Sequence, residues 1–350
     1  MTDGREGTQM QEPRTVNVRS PLRVDFVGMT DYLPACKQFG GSIVNATINK
    51  YIYATATPRG DGRIIFNAPD HDDLRVEVAS HQELDPEGEL GLAQEIVRRF
   101  ELPGGVELTT YSQMPGGAGL GSSSTIATCI IAALNALTGW RMMPHEMARL
   151  AIDCETVALK TTYGWQDQYS PVTGGGVKHM RYWPEASGYG VEISELPLTG
   201  PQRAALERAL VVCYSGISRP AGNILHAVAE GFHEGRSEVL DALRGMSGCA
   251  ERMRHAVLDG RLEELGPLLS EVWELHQHLH PSVTNDAIEE LYELAMEHGA
   301  TGGRVCGAGG GGTLMFYCPP PSDFRVAQAL AEAGAQVFDV AIDTTGLLVW

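Results

Sequence analysis

The segment from Gly105 to Leu137 constrains the fold of this chain more than any other. "GVELTTYSQMP" is rich in β-branched residues and reads as a strand. "GGAGLGSSS" follows as a loop, and the apolar run from Ser122 to Leu137 reads as a helix. A strand that passes through a glycine loop into a helix gathers unpaired backbone N–H groups around one point, which suits an anion. Gly116 to Ser124 hold four glycines and three serines, more than a helix cap needs. Glycine lets backbone approach a phosphate closely, and Ser122, Ser123 and Ser124 add hydroxyls, one of which can cap the helix. The lysine of the G-x-x-x-x-G-K-[ST] loop is missing. Phosphates held here therefore need Mg²⁺ and a cation brought from elsewhere in the chain.

A second cluster, Gly307 to Gly312, contains G-x-G-x-x-G as Gly307, Gly309 and Gly312. A dinucleotide loop must open a helix, whereas "TLMFYC" after it reads as a strand. The cluster therefore reads as a tight turn, free of side chains, that packs against other backbone beside a ligand site.

The 350 residues suit two domains. Four short strand-like runs and a helix over Leu92–Phe100 precede the phosphate-loop segment, and "PHEMARLAIDCETVALK" reads as a further helix. "TTYGWQDQYSPVTGGG" reads as a loop. Strands followed by helices indicate an α+β fold. A polar stretch places the domain boundary near residue 185, giving domains 15–185 and 186–350 behind a disordered tail, 1–14. Beyond the boundary, "ALVVCYSGI" reads as a buried strand. Three or four amphipathic helices cover roughly 220–298, and strand, turn, strand, helix and two short strands close the chain.

A net charge of −18 without basic clusters excludes nucleic-acid and anionic-membrane partners. No apolar run approaches the roughly 18 residues of a membrane span. The seven cysteines form no C-x-x-C pair, and several sit in apolar runs. They suggest a reduced, cytoplasmic setting without disulfides or zinc.

"PGGAGLGSSS", Pro115 to Ser124, resembles the P-x-x-x-G-L-G-S-S-[AS] phosphate loop of the GHMP kinases. "SPLRVDFVGMTDY" resembles their N-terminal substrate motif, and "GAGGGG" their C-terminal glycine motif. All three occur in family order, and the likeness runs from about Arg19 to Trp350. "GWQDQYSPVTGG" and "YSGISRPAGNIL" are most similar to the D-glycero-D-manno-heptose 7-phosphate kinases within that family. The resemblance implies a ribosomal-S5-like N-terminal domain and a ferredoxin-like C-terminal domain. It also implies ATP, Mg²⁺, a small sugar-like acceptor phosphorylated at a ring hydroxyl, and a monomer or homodimer.

Carried over residue by residue, the resemblance makes Pro115, Gly116, Gly117, Ala118, Gly119, Leu120, Gly121, Ser122, Ser123 and Ser124 the nucleotide loop. Asp167, in the loop between two glutamines, becomes the candidate base, and Arg23 the cation that steadies it. Glu155 and Ser123 become the magnesium ligands, with Asp153 and Ser122 as competitors. Asp31, Tyr32, Ser218, Arg219, Gly309 and Gly310 become acceptor-binding candidates; an arginine fork at Arg219 would suit a substrate phosphate.

Two features depart from the heptose kinases. Their substrate motif tends to read G-G-G-T-D, and here Met29 replaces a glycine. They tend to carry lysines after "WEL", where this chain has His276, His278 and His280. These read as exposed structural histidines, His276 and His280 sharing a helix face. A heptose 7-phosphate-like acceptor leads, and a cyclitol phosphate fits the same chemistry. A diphosphate decarboxylase and a sugar-sensing regulator are the rival functions on this fold.

Overall fold

A computed structural model describes residues 14–102, 104–160, 164–185, 190–218 and 222–350. The expected tail, apart from Arg14, lies outside the described residues, as does Arg219.

The β-branched runs form β1 (Val16–Val27), β2 (Gly41–Arg59), β3 (Ile64–Ala68), β4 (Leu74–Val78) and β5 (Gly105–Ser112). Helix α1 (Leu33–Phe39) joins β1 to β2, and α2 (Gly91–Arg98) leads towards β5. After β5 come α3 (Ser122–Thr138), α4 (Pro144–Leu159), α5 (Gln166–Val172), β6 (Val177–Tyr182) and β7 (Val191–Glu195). β2 is long enough to serve two neighbours: Ile52–Arg59 pairs with β5 and Gly41–Ala46 with β6. β7 pairs with β6, so this sheet continues past residue 185. The last strand of the chain, β12 (Leu348–Val349), returns to pair with β1. The resulting order is β12-β1-β2-β5-β3-β4, with β6 and β7 added on β2.

The remaining elements are α6 (Gly200–Ala209), β8 (Leu210–Tyr214), α7 (Gly222–His233), α8 (Ser237–Leu258), α9 (Leu265–Gln277), α10 (Asp286–Glu297), β9 (Gly302–Val305), β10 (Thr313–Tyr317), α11 (Ser322–Glu332) and β11 (Gln336–Phe338). They build a four-stranded antiparallel sheet, β11-β8-β10-β9. This is the two-domain α+β architecture expected from the order of strands and helices.

α3 is apolar almost all round, as a helix buried on several sides must be. It packs on β1 and β2, and its residues join a core shared by both sheets. A smaller cluster around Trp165, Tyr169, Ile43 and Met180 lies behind α5. All seven cysteines are buried and unpaired, small apolar fillers of these cores. No described helix is long and apolar enough to cross a membrane.

Several elements depart from the sequence reading. α1, β6, β7 and α6 were not expected. The segment read as a loop before β6 contains α5, so Asp167 stands in a helical first turn. His276 is not exposed; its relative exposure is 0%. His280 shares no helix with it, because α9 ends at Gln277 and His280 instead caps a 3-10 turn through Nδ1. A one-turn offset at a helix end is invisible to an i, i+4 count.

Candidate active site

The phosphate loop is held open by contacts with its glycine counterpart. Gly119 has φ +78°, and a Cβ on it would fall 2.6 Å from the Cys306 carbonyl oxygen. Thr313 N donates to Ala118 O at 2.9 Å, and Arg23 N to Leu120 O at 3.3 Å. Gly121, at φ +76°, turns the chain into α3, and a Cβ there would crowd the Asp167 carboxylate at 3.0 Å. The two glycine clusters thus interlock, and α3 points its free N–H groups at the space beside Asp167.

Arg23 and Asp167 form a fork. Arg23 Nε donates to Asp167 Oδ1 at 2.6 Å and Nη2 to Oδ2 at 2.8 Å. Nη1 donates to Gly119 O at 2.6 Å, so one side chain ties the acid to the loop. Arg23 is 3% exposed. Burial alone would lower its pKa, but the carboxylates of Asp167 and Asp25 more than reverse that, and it stays charged. The sequence reading missed Asp25, although strand alternation puts it on the face of Arg23. Asp25 accepts from Gly307 N at 3.1 Å and lies 3.4 Å from the Arg304 guanidinium, joining both glycine clusters to one buried charge network. His276 ends that network, 3.4 Å from Arg304 Nη2 through Nδ1. Burial and the Arg304 charge hold it neutral, well below the usual histidine pKa.

Glu155 reaches the loop from α4. Ser123 Oγ donates to Oε1 at 2.9 Å, and Ser124 Oγ to Oε1 and Oε2 at 3.0 and 2.9 Å. Gln168, from α5, also donates to Glu155. Burial pushes the Glu155 pKa up, and these donors oppose the rise. Asp153 is exposed on α4, unlike Glu155. The Ser122 hydroxyl is buried and has no hydrogen-bond partner among the described residues. One carboxylate and two serine hydroxyls, one of them orphaned, form an oxygen-only set that fits Mg²⁺ alongside phosphate oxygens. Among the described residues no three His, Cys, Asp or Glu side chains gather as a metal cluster.

The acceptor candidates are distributed unevenly. Asp31 Oδ2 accepts from the N–H groups of Trp165 and Gln166 at 2.9 and 3.0 Å, capping α5. Burial and the nearby Asp167 charge raise its pKa to about 6. Tyr32 Oη lies 3.0 Å from His233 Nε2, linking α1 to α7. Met29 is buried with φ +66°, a backbone conformation that favours glycine. Ser218 Oγ donates to Gly116 O at 2.8 Å, on the phosphate loop. Gly310 N donates to Val283 O, Gly310 O accepts from Asn285, and Gly309 packs on Val283.

On the far side of the phosphate loop lies a cavity of about 590 Å³. Pro115, Gly116, Gly117, Ser122 and Ser123 form its rim, and Phe66, Leu90, Leu108, Ile126, Ile130 and Phe338 give it apolar walls. Its volume suits a nucleoside. No motif marked these residues, which come from β3, the N-cap of α2, β5, α3 and β11; only the i, i+4, i+8 spacing of Ser122, Ile126 and Ile130 on α3 hinted at a shared face.

Residues 90–175 match the GHMP kinases N terminal domain, and residues 253–336 the GHMP kinases C terminal domain. The chain is 30% identical over 346 residues to the D-glycero-alpha-D-manno-heptose 7-phosphate kinase of Campylobacter jejuni, covering 96% of this chain and 99% of that one. A crystal structure described as a sugar kinase from Campylobacter jejuni superposes with a TM-score of 0.78 at 28% identity, over 97% of this chain and 99% of the other. A D-glycero-D-manno-heptose 1-phosphate kinase from Bacteroides thetaiotaomicron gives 0.77 at 26% identity, over 96% and 98%. The chain belongs to the GHMP kinase family of phosphotransferases.

Proposed function

We propose that this protein is an ATP- and Mg²⁺-dependent kinase that phosphorylates a ring hydroxyl, the anomeric one of a heptose 7-phosphate-like sugar. The observation that carries this reading is the Arg23–Asp167 fork, tied to the phosphate loop through Gly119 O. Phosphoryl transfer asks a protein chiefly for positioning and charge neutralisation. The nucleoside fits the apolar cavity, and its phosphates lie on the loop amides at the start of α3. The acceptor oxygen forms a bond to the γ-phosphorus as the bond to the β–γ bridging oxygen breaks. Asp167 takes the acceptor proton, and ADP departs. Arg23 fixes the orientation of Asp167 and offsets negative charge on the transferring group. Glu155, Ser123 and Ser122 would hold Mg²⁺, which neutralises and orders the phosphates when bound.

The C. jejuni relative's name supports a heptose 7-phosphate acceptor. Met29, buried at a glycine-favouring φ, favours a second reading in which the acceptor wall is reshaped for a cyclitol phosphate. Incubation with MgATP and each candidate acceptor, followed by ³¹P NMR, tests both. The heptose reading expects a new phosphate coupled to the anomeric proton of D-glycero-D-manno-heptose 7-phosphate. A product from the cyclitol phosphate alone would select the second reading. Carbon dioxide released from an acid substrate would favour a decarboxylase, and no product from any class a regulator.

A further inference from the structure

The segment carrying Asp167 cannot hold itself in place. α5 has seven residues, and isolated helices shorter than about 12–15 residues are marginal in water. Pro171 stands four residues after Asp167 and has no N–H, so the Asp167 carbonyl receives no intrahelical donor from it. The helix is pinned from outside instead. Asp31 holds its N-terminal end, and Gln168 anchors its middle to Glu155 and, at 3.1 Å, to Ser124 Oγ. At the C-terminal end the anchor is Lys178, on β6. Its Nζ donates to Ser170 O and, at 2.5 Å, to Gly174 O.

Lys178 is 1% exposed. Among the described residues no carboxylate reaches salt-bridge distance of its ammonium. A buried charge is costly, and this one is directed wholly at backbone carbonyls where a helix ends and its dipole is negative. An apolar side chain would fill the same space without that cost.

We propose that Lys178 is a positioning residue for phosphoryl transfer: its ammonium ties down the C-terminal end of α5 and thereby sets where Asp167 stands at the other end. The proposal rests on the kinase reading above. Charge-assisted donors are the strong ones, so the tie depends on the proton. The charged and titratable groups facing this end are Glu195 and Glu192 from β7, His145 from α4, and Asp343 from the segment before β12. Arg19 stands 3.9 Å from Asp343. Burial pushes Lys178 down to about 8, against the pull of Asp343 and Glu195.

The pH consequences separate positioning from mere stability. As pH rises through about 8 the tie loses its charge, and turnover falls. Folding stability moves the other way. The folded protein gives up this proton before the unfolded chain, whose lysine titrates near 10.5, so the burial cost is relieved across that window.

The test uses the full chain with MgATP and D-glycero-D-manno-heptose 7-phosphate. Wild-type kcat should decline above pH 8 with no parallel fall in Tm. Lys178→Met should lower kcat roughly 10- to 100-fold, the scale of a misplaced catalytic group, and lose the alkaline limb. Its affinity for a non-hydrolysable ATP analogue should stay within about twofold, since it does not touch the phosphate loop. Lys178→Arg, charged to beyond about pH 12, should recover part of kcat without the limb. A wild-type profile flat to high pH, or a folded Lys178→Met with wild-type kcat, would overturn the proposal. Should Lys178→Met fail to fold, the wild-type pH profile and Lys178→Arg still decide it. Wild-type inactivity towards every acceptor would strike the kinase reading instead.

Discussion

The phosphate loop has two unlike sides. Towards α5 it faces Arg23, Asp25, Asp167 and Glu155, charged groups fixed by directional bonds to one another, to backbone or, for Glu155, to serine hydroxyls and Gln168. Towards β3 and β5 it faces a cavity with largely aliphatic and aromatic walls, beside which stand polar groups such as Asn67, Asp70 and His71. Polar groups on the first side owe their positions to partners, so losing one leaves another buried and unpaired. Walls on the second side owe theirs to packing, and a change there alters fit without disturbing charge. Chemistry and nucleotide affinity should therefore come apart under mutation.

Arg23→Met should break the first side most severely. It leaves Asp167 and the Gly119 carbonyl without their cation, while Asp25 keeps only Arg304. Turnover should fall by roughly 10³ or more, with about 1–3 kcal/mol of stability lost as the Arg23 hydrogen bonds go unmade. A coupled ADP-release assay and urea unfolding measure both. Glu155→Gln keeps the size and the serine contacts but removes the charge. A kcat loss of roughly 10², together with a higher Mg²⁺ requirement, is the expected outcome of a magnesium titration. On the second side, Ile126→Trp should raise the KM for ATP about tenfold through overpacking and leave kcat within about twofold. A comparable fall in kcat would blur the distinction between the sides.

Asp31→Asn should have the smallest effect. The amide oxygen still caps α5, so kcat should drop only about three- to tenfold. Because its pKa is raised to about 6 from 3.8, stability linked to Asp31 is fully present below about 3.8 and lost as pH rises through about 6. An acid limb of kcat near pH 6 should therefore occur without acid unfolding from this group, and vanish in the Asn variant. A pH profile beside thermal melts checks it.

The two sides also differed in how far the sequence disclosed them. Arg23, Asp167 and Ser123 lie in short motifs and Glu155 near the end of a helix legible from its sequence; the structure sets Arg23 on Asp167 and Ser123 on Glu155. β1 to β5 of the large sheet, α3 and the two glycine clusters followed from β-branched runs, apolar periodicity and glycine placement, whereas β6 and β7 did not. The cavity walls did not, because Phe66 and Leu108 are ordinary core residues, and the cavity they share with the half-buried Phe338 exists only after β3, β5 and β11 assemble. α5 escaped for a different reason. Seven residues containing Pro171 have little helical propensity of their own, and ties from Asp31, Gln168 and Lys178 make the helix. His276 was misjudged because its partner Arg304 lies on another element. Nothing local marks a histidine as the buried end of a charge network.

The central claim is that Asp167, held by Arg23, receives the acceptor proton while the phosphate loop and the apolar cavity beside it secure the nucleotide. Single-turnover phosphoryl transfer by Asp167→Asn at saturating MgATP, measured beside its affinity for a non-hydrolysable ATP analogue, tests this most directly. The account predicts a transfer rate lowered by roughly 10² to 10⁴, with analogue affinity within about threefold of wild type. Transfer within a few-fold of the wild-type rate, in a variant that binds the analogue normally, would contradict it.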